Sequence, residues 1–224
     1  MNIIVTEEIL SVCPGFVGAA VEGQVVNTPY SAGLWAEIDA LCADMRTSLT
    51  TETLKRQPAI EATRRVYRAC GKDPSRYRPA AEALLRRVLQ GKPLYRRDTL
   101  VDMVNLASMR FGYSIGGFDA DRIDGPQLTL GIGRAGEPYE GIGRGLLNIE
   151  GLPVYRDRQG GVGTPTSDNE RTKMTLQTTH LLVLINGYDG SMDGAMATAD
   201  YVCQLASRYA AGTGFSVVCY PSVG

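Results

Sequence analysis

The stretch Gly161-Val-Gly-Thr-Pro-Thr-Ser-Asp-Asn-Glu-Arg-Thr-Lys-Met-Thr-Leu-Gln-Thr-Thr-His-Leu-Leu-Val-Leu-Ile-Asn-Gly-Tyr188 starts as a polar loop and ends in an apolar run. His180 to Ile185 reads as a buried strand, short, apolar and bounded by turn-forming residues. The loop before it sets Thr164, Thr166, Ser167, Asp168 and Asn169 beside the cluster Glu170-Arg171-Thr172-Lys173. Hydroxyls and carbonyls next to two cations can hold a carboxylate, a phosphate or an aminoacyl ester. The same composition also suits a plain polar hairpin, and residue chemistry leaves both readings open. If the extended conformation begins at Arg171, then Arg171 and Lys173, two apart, share a face and can clamp an anion. The competing expectation is that Arg171 pairs with an internal acid such as Asp102 or Asp119.

Outward from this stretch, Ile3 to Val5 and Phe16 to Val26 read as strands, with Gly18 and Gly23 marking a bulge or close packing. Ser31 to Arg46 carries Leu34, Ile38, Leu41, Cys42 and Met45 at helical spacing, with Trp35 expected at the rim. Pro58 sits in the first turn of a helix that Gly71 terminates. After Arg78-Pro79, the residues Ala81, Leu84, Leu85, Val88 and Leu89 fill one helical face, so Leu84 and Val88 are expected in the core. Glu82 and Arg86 can pair across one turn of that helix. A helix capped near Asp98 runs to about Arg110, with Leu100, Val104 and Ala107 inward and Asp102 and Asn105 on a neighbouring face. Gly112 to Gly163 is glycine-rich, with short strands at Gln127 to Ile132 and Leu152 to Tyr155. Asp193 to Ala210 is an amphipathic helix and Phe215 to Tyr220 a closing strand. This order predicts an α+β fold, a mixed β-sheet core with flanking helices, rather than a doubly wound sheet. One domain over 1–224 is expected, with residues 1–75 packed on a 76–224 core; a chain of this length buries roughly 70% of its unfolded surface.

The formal charge of −1 conceals an asymmetry: Lys55 to Arg97 holds thirteen Lys/Arg against three Asp/Glu, +10, leaving −11 elsewhere. A polyanion is one expected partner for this segment, through Arg64, Arg65, Arg68, Arg86 and Arg87; solvated helix faces are the plainer account. Five dispersed cysteines with no C-x-x-C pattern predict a reduced, cytoplasmic protein. No run approaches the ~18 apolar residues of a membrane span. Gly131-Ile-Gly-Arg-Ala-Gly136 matches G-x-G-x-x-G, but Glu137-Pro138 follows where a dinucleotide site needs a helix N-terminus, so the recurring Gly-Ile-Gly-Arg at 131 and 141 marks two turns between strands. His180, the single histidine, stands without cysteine neighbours and is expected as a core residue, so neither a metal centre nor any other cofactor is expected.

Arg78-Pro-Ala-Ala-Glu-Ala-Leu-Leu-Arg-Arg-Val-Leu89, Leu100-Val-Asp-Met-Val-Asn105, Gly116-Gly-Phe-Asp119 with Asp121, and Ser167-Asp-Asn-Glu-Arg-Thr-Lys-Met-Thr175 occur in an order that resembles the B3/B4 domain of the phenylalanyl-tRNA synthetase beta subunit, and most of all its free-standing relatives. In the synthetase the matching stretches begin R-P-S, continue through an Asn/Val-Val-Asp-x-x-Asn helix and reach a His-x-Phe-Asp turn. The resemblance spans about Arg78 to Tyr188. It implies an α+β domain whose pocket accepts a misacylated tRNA end and hydrolyses the ester. It also implies that Gly116, Gly117, Ser167, Asp168, Arg171, Thr172 and Lys173 line the substrate pocket, because the family topology brings those two turns together.

Two positions depart from the editing pattern. The turn histidine falls at Gly116, and the glutamate expected late in the buried strand falls on Leu184 or Asn186. No general base is identifiable from the sequence. The readings are therefore an aminoacyl-tRNA deacylase acting in trans, a non-catalytic tRNA or amino-acid binding module, and an enzyme or sensor for a small carboxylate metabolite.

Overall fold

His180–Gly187 forms the strand on which the fold is built, and its seven residues after His180 are all buried. The computed structural model describes residues 1–221. In chain order the elements are β1 (Asn2–Val5), α1 (Glu7–Val12), β2 (Val17–Gln24), α2 (Ala32–Ser48), α3 (Thr51–Leu54), α4 (Pro58–Ala69), α5 (Ala80–Leu89), α6 (Thr99–Phe111), β3 (Ile115–Asp119), β4 (Gln127–Ile132), β5 (Glu140–Gly141), β6 (Gly145–Leu146), β7 (Pro153–Arg156), β8 (Gly161–Gly163), β9 (His180–Gly187), α7 (Met192–Tyr209) and β10 (Thr213–Tyr220). Single 3-10 turns occupy Ala120–Arg122 and Glu170–Thr172. The fold is α+β, as its sequence implied. No helix of the described residues is long and apolar enough to cross a membrane.

Two four-stranded sheets, ordered β10-β2-β9-β3 and β1-β4-β7-β8, face each other, and α2, α5, α6 and α7 cover the outer face of the first, whereas Ile9 of α1 packs with the inter-sheet core. The alternation of β9 explains this layering. Leu181, Val183 and Ile185 pack with α2, α5, α6 and α7, whereas Leu182 and Leu184 pack with Phe118, Leu128, Leu130 and Tyr155 between the sheets. A strand covered on both faces must be apolar at every position, which is why the sequence there is a continuous run rather than an alternating one. Each Leu or Val buried this way stabilises the fold by about 1.5–3 kcal/mol. The first 75 residues supply β2, which is hydrogen-bonded between β9 and β10.

Several local expectations change. Trp35 is buried, not at the rim, because its indole Nε1 donates to Asp102 at 2.6 Å inside the helical layer. Leu84 packs against the core only in part; Leu85 and Val88 take the inward positions. His180 is half-buried at the strand's entrance, 3.0 Å from Glu22 and 3.1 Å from Asp121, and is not a core residue. The 131–136 glycines form the end of β4 and a turn; a Cβ on Gly133 would lie 2.0 Å from the Ile149 carbonyl oxygen. The second Gly-Ile-Gly-Arg is the tip of the β5–β6 hairpin, where Gly143 and Gly145 adopt positive φ.

Candidate functional site

A cleft of about 580 Å3 opens between α6, β3, the β5–β6 hairpin and the loop that precedes β9. Asp98, which caps α6 by accepting from Val101 N at 3.0 Å, fixes the helix so that Val101, Val104 and Asn105 form one wall. Tyr95 and Arg97 enter from the preceding strap, and Ile142, Gly143 and Arg144 from the hairpin. Gly117, Asp168, Lys173 and Met174 form the remainder.

Gly117 pairs with Val183 in β3 and faces the helical side, whereas Gly116 pairs with Leu184 and faces the inter-sheet core. A Cβ at Gly116 would meet the Phe118 ring at 2.6 Å, whereas one at Gly117 would meet the flexible end of Met174, its Cε at 2.7 Å, which would have to shift. Without a side chain at 117, its amide reaches the loop and donates to Asp168 Oδ2 at 3.2 Å. Asp168 borders the cleft, yet its Oδ1 is hemmed in by the backbones of Gly116 and Gly163 and by Phe118. Burial pushes this carboxyl up to about 7, opposed only by the Gly117 amide. Among the described residues no other group donates to it.

Of the remaining loop positions, Arg171, Thr172 and Ser167 tie the loop to the fold. Arg171 does not point into the cleft: its two terminal guanidinium nitrogens donate to Asp157 Oδ2 and Oδ1 at 2.8 Å each, and Nη1 also donates to the Arg122 carbonyl at 3.2 Å. The expected internal acid exists, but it is Asp157 rather than Asp102 or Asp119. Burial would raise the Asp157 carboxyl, but the Arg171 hydrogen bonds hold it below the ordinary aspartate value. The expected shared face of Arg171 and Lys173 fails because residues 170–172 form a 3-10 turn instead of extended chain. Lys173 reaches the cleft and pairs with Glu170. Thr172 is fully buried, with its hydroxyl donating to the Val162 carbonyl. Ser167 turns away, and its carbonyl accepts from the Tyr139 hydroxyl at 2.6 Å. Of the seven residues expected to line the pocket, Gly117, Asp168 and Lys173 do so.

The basic segment divides similarly. Arg64 is buried and donates through Nη1 to both oxygens of Glu82, at 3.1 and 2.8 Å, while Arg86 and Arg78 lie 3.6 and 3.9 Å from the same buried carboxylate. Arg64 is thus not available to a polyanion. Arg87 donates to the Pro93 carbonyl at 2.6 Å and lies over the Tyr95 ring. Arg65 and Arg68 are exposed on α4.

Sequence reasoning missed the cleft contributions of Tyr95, Arg97 and Arg144, which lie in irregular chain without periodicity. Asn105 was legible only as a polar position on α6. The two departures from the editing pattern are also placed: Leu184 is buried between the sheets, and Asn186 accepts from the Tyr155 hydroxyl and donates to the Ser114 carbonyl, both at 2.8 Å. Neither borders the cleft. Among the described residues no group of His, Cys, Asp and Glu could hold a metal.

A two-sheet α+β domain with one cleft beside the strand-linked loop defines the class of protein. The family model of the B3/4 domain matches residues 62–210, and the chain belongs to that family. Among solved structures it is similar to an N-terminal fragment of the phenylalanyl-tRNA synthetase beta-subunit from Pyrococcus horikoshii, with a TM-score of 0.53 and 14% identity over 99% of this chain. At that identity the likeness is one of fold, and the chain spans 54% of the fragment. No curated protein matches it.

Proposed function

We propose that the protein hydrolyses aminoacyl esters carried on the 3′ end of tRNA, acting in trans on a charged tRNA in the cytoplasm. The observation that carries this reading is Asp168, a carboxyl with one protein donor, at the border of a cleft large enough for an amino acid. A pKa near the working pH is what a general base requires. Ionised Asp168 takes a proton from water as the water oxygen attacks the ester carbonyl carbon. The carbon–oxygen bond to ribose then breaks, and the ribose oxygen receives that proton, leaving a free amino acid and an uncharged tRNA. Lys173 and Arg97 supply positive potential for the developing oxyanion. The exposed cations of α4, Arg65 and Arg68, favour the approach of the nucleic acid.

The test is release of amino acid from a panel of mischarged tRNAs. Deacylation above the buffer rate, lowered ~100-fold or more in Asp168→Asn, is the expected result. The rate should rise tenfold per pH unit below about 7 and flatten above it, following Asp168 ionisation. Salt-sensitive binding with no deacylation on any charged tRNA would make the protein a binding module instead.

A further inference from the structure

Arg144 lines two concavities. One is the cleft bordered by Asp168; the other, about 300 Å3, lies across the β5–β6 hairpin and is walled by Arg76, Tyr77, Leu146, Asn148 and Thr166. Three segments separate the chambers and contribute to both. Residues 76–80 give Arg76 and Tyr77 to one and Ala80 to the other. The hairpin gives Leu146 to one and Ile142 to the other, and the loop gives Thr166 and Asp168 respectively. The two chambers therefore adjoin across these three segments.

We propose that the second chamber binds the terminal nucleoside of the RNA, with its 5′-phosphate held by Arg76 and Arg144. This rests on the reading above, because an aminoacyl group esterified to a ribose hydroxyl has its nucleoside immediately beside it. A site for one needs an abutting site for the other. The orientation follows from charge. The first chamber mixes the acids Asp98 and Asp168 with Arg97, Arg144 and Lys173, whereas the charged residues lining the second, Arg76 and Arg144, are all cations. Arg76 and Arg144 are exposed and have no acidic partner among the described residues, unlike Arg64, Arg156, Arg171 and Arg208, which are paired at 2.6–2.8 Å.

Apolar surface for a base is also present. Leu146 is 86% exposed at the chamber wall, and nothing in the described chain covers it. The Tyr77 ring supplies a half-buried π surface, with Lys72 Nζ 4.8 Å from its centroid. Stacking on such surfaces tolerates any base. Asn148 accepts from the Glu150 amide through Oδ1, at 2.9 Å, which leaves its amide NH2 to donate to a base edge. The Thr166 hydroxyl is tied to the Tyr77 carbonyl at 3.0 Å and to the Tyr67 hydroxyl at 2.8 Å, so the floor is preorganised.

The experiment titrates the full chain with adenosine 5′-monophosphate and, separately, with inorganic phosphate by calorimetry, for the wild type, Leu146→Ser and the double variant Arg76→Glu/Arg144→Glu. The expected result is nucleotide binding at least ~10-fold tighter than phosphate binding. Leu146→Ser should weaken the nucleotide about 5–10-fold and leave phosphate unchanged. The double variant should weaken both ~20-fold or more. All three side chains are exposed, so melting temperatures should stay constant and isolate binding from folding. No nucleotide binding, equal affinities for nucleotide and phosphate, or unaltered binding in both variants overturns the proposal. Nucleotide binding with the expected pattern but no deacylation of any charged tRNA sinks the hydrolase reading alone. Deacylation whose KM ignores both variants sinks the nucleoside chamber alone.

Discussion

Asp157 and Asp168 flank the same loop, both carboxyls lie within the protein, and they are held in opposite ways. Asp157 takes two charge-assisted bonds from Arg171 and amide bonds from Asp124, Gln159 and Gly160. Asp168 takes one, from Gly117. The first carboxyl stays ionised below the ordinary range, and the second is pushed up to about 7. Two identical side chains eleven positions apart thus acquire opposite shifts from deeper burial and a scarcity of donors at Asp168 and from donor supply at Asp157.

Saturated acids should be costly to disturb and chemically silent. The largest effect is expected at Glu82, buried among Arg64, Arg78 and Arg86: Glu82→Gln leaves three guanidinium groups against a neutral amide and should cost about 3–5 kcal/mol, read by denaturant unfolding. A loss below ~1 kcal/mol would show that these arginines find other partners. Arg171→Ala, which strands Asp157, should cost about 2–4 kcal/mol and leave the affinity for charged tRNA unchanged. Because the Asp157 pKa is depressed, its contribution exists above the ordinary aspartate value and disappears as pH falls through the lower native one. The destabilisation by Arg171→Ala should therefore shrink as pH falls below the ordinary aspartate value of about 4. An affinity loss without a stability loss would return Arg171 to the binding site.

Asp168 should behave in reverse. Its native pKa is raised, so its contribution to stability is complete below about 4 and is lost as pH rises through about 7. Asp168→Asn never ionises and keeps the Gly117 hydrogen bond. At pH 8 it should be more stable than the wild type by about 1–2 kcal/mol, discounted because the carboxyl borders an open cleft, and equal to it near pH 4. A variant less stable at every pH would show that Asp168 is structural and end the comparison. An effect of similar size but opposite sign, a loss of about 1–2 kcal/mol, is expected at Leu84→Ala, because the half-buried side chain leaves a cavity that opens to solvent.

The sequence was most legible where periodicity and capping act locally. Asp98 caps the helix expected of it, β4 spans the expected residues, and β9 declares itself by its unbroken apolar run. The short β3 was hidden because Ile115-Gly-Gly-Phe-Asp119 has neither alternation nor a run, and only its pairing with β9 makes it a strand. Site residues were legible where the chain itself brings them together, as in Asp168 and Lys173. Arg171 misled because its partner, fourteen residues upstream, is positioned by the β7–β8 turn, a contact no spacing rule encodes. Arg97 and Arg144 reach the cleft from irregular segments whose positions depend on tertiary packing.

The placement of β2 sets the order in which this molecule can be assembled. Gly18 is the cross-strand partner of both Asn186 and Tyr220, so an early segment waits for two late ones before its backbone is paired on either side. Such distant pairing carries a large loop-closure cost and belongs to slow-folding topologies. On a ribosome, β2 would remain without neighbours through most of synthesis, an apolar strand with two open edges. A fragment limited to residues 62–210 lacks both β2 and β10 and would open the edge of β9 that β2 covers, with β3 left on the other. Expression of that fragment should therefore give aggregated material, even though it contains every residue lining the candidate cleft.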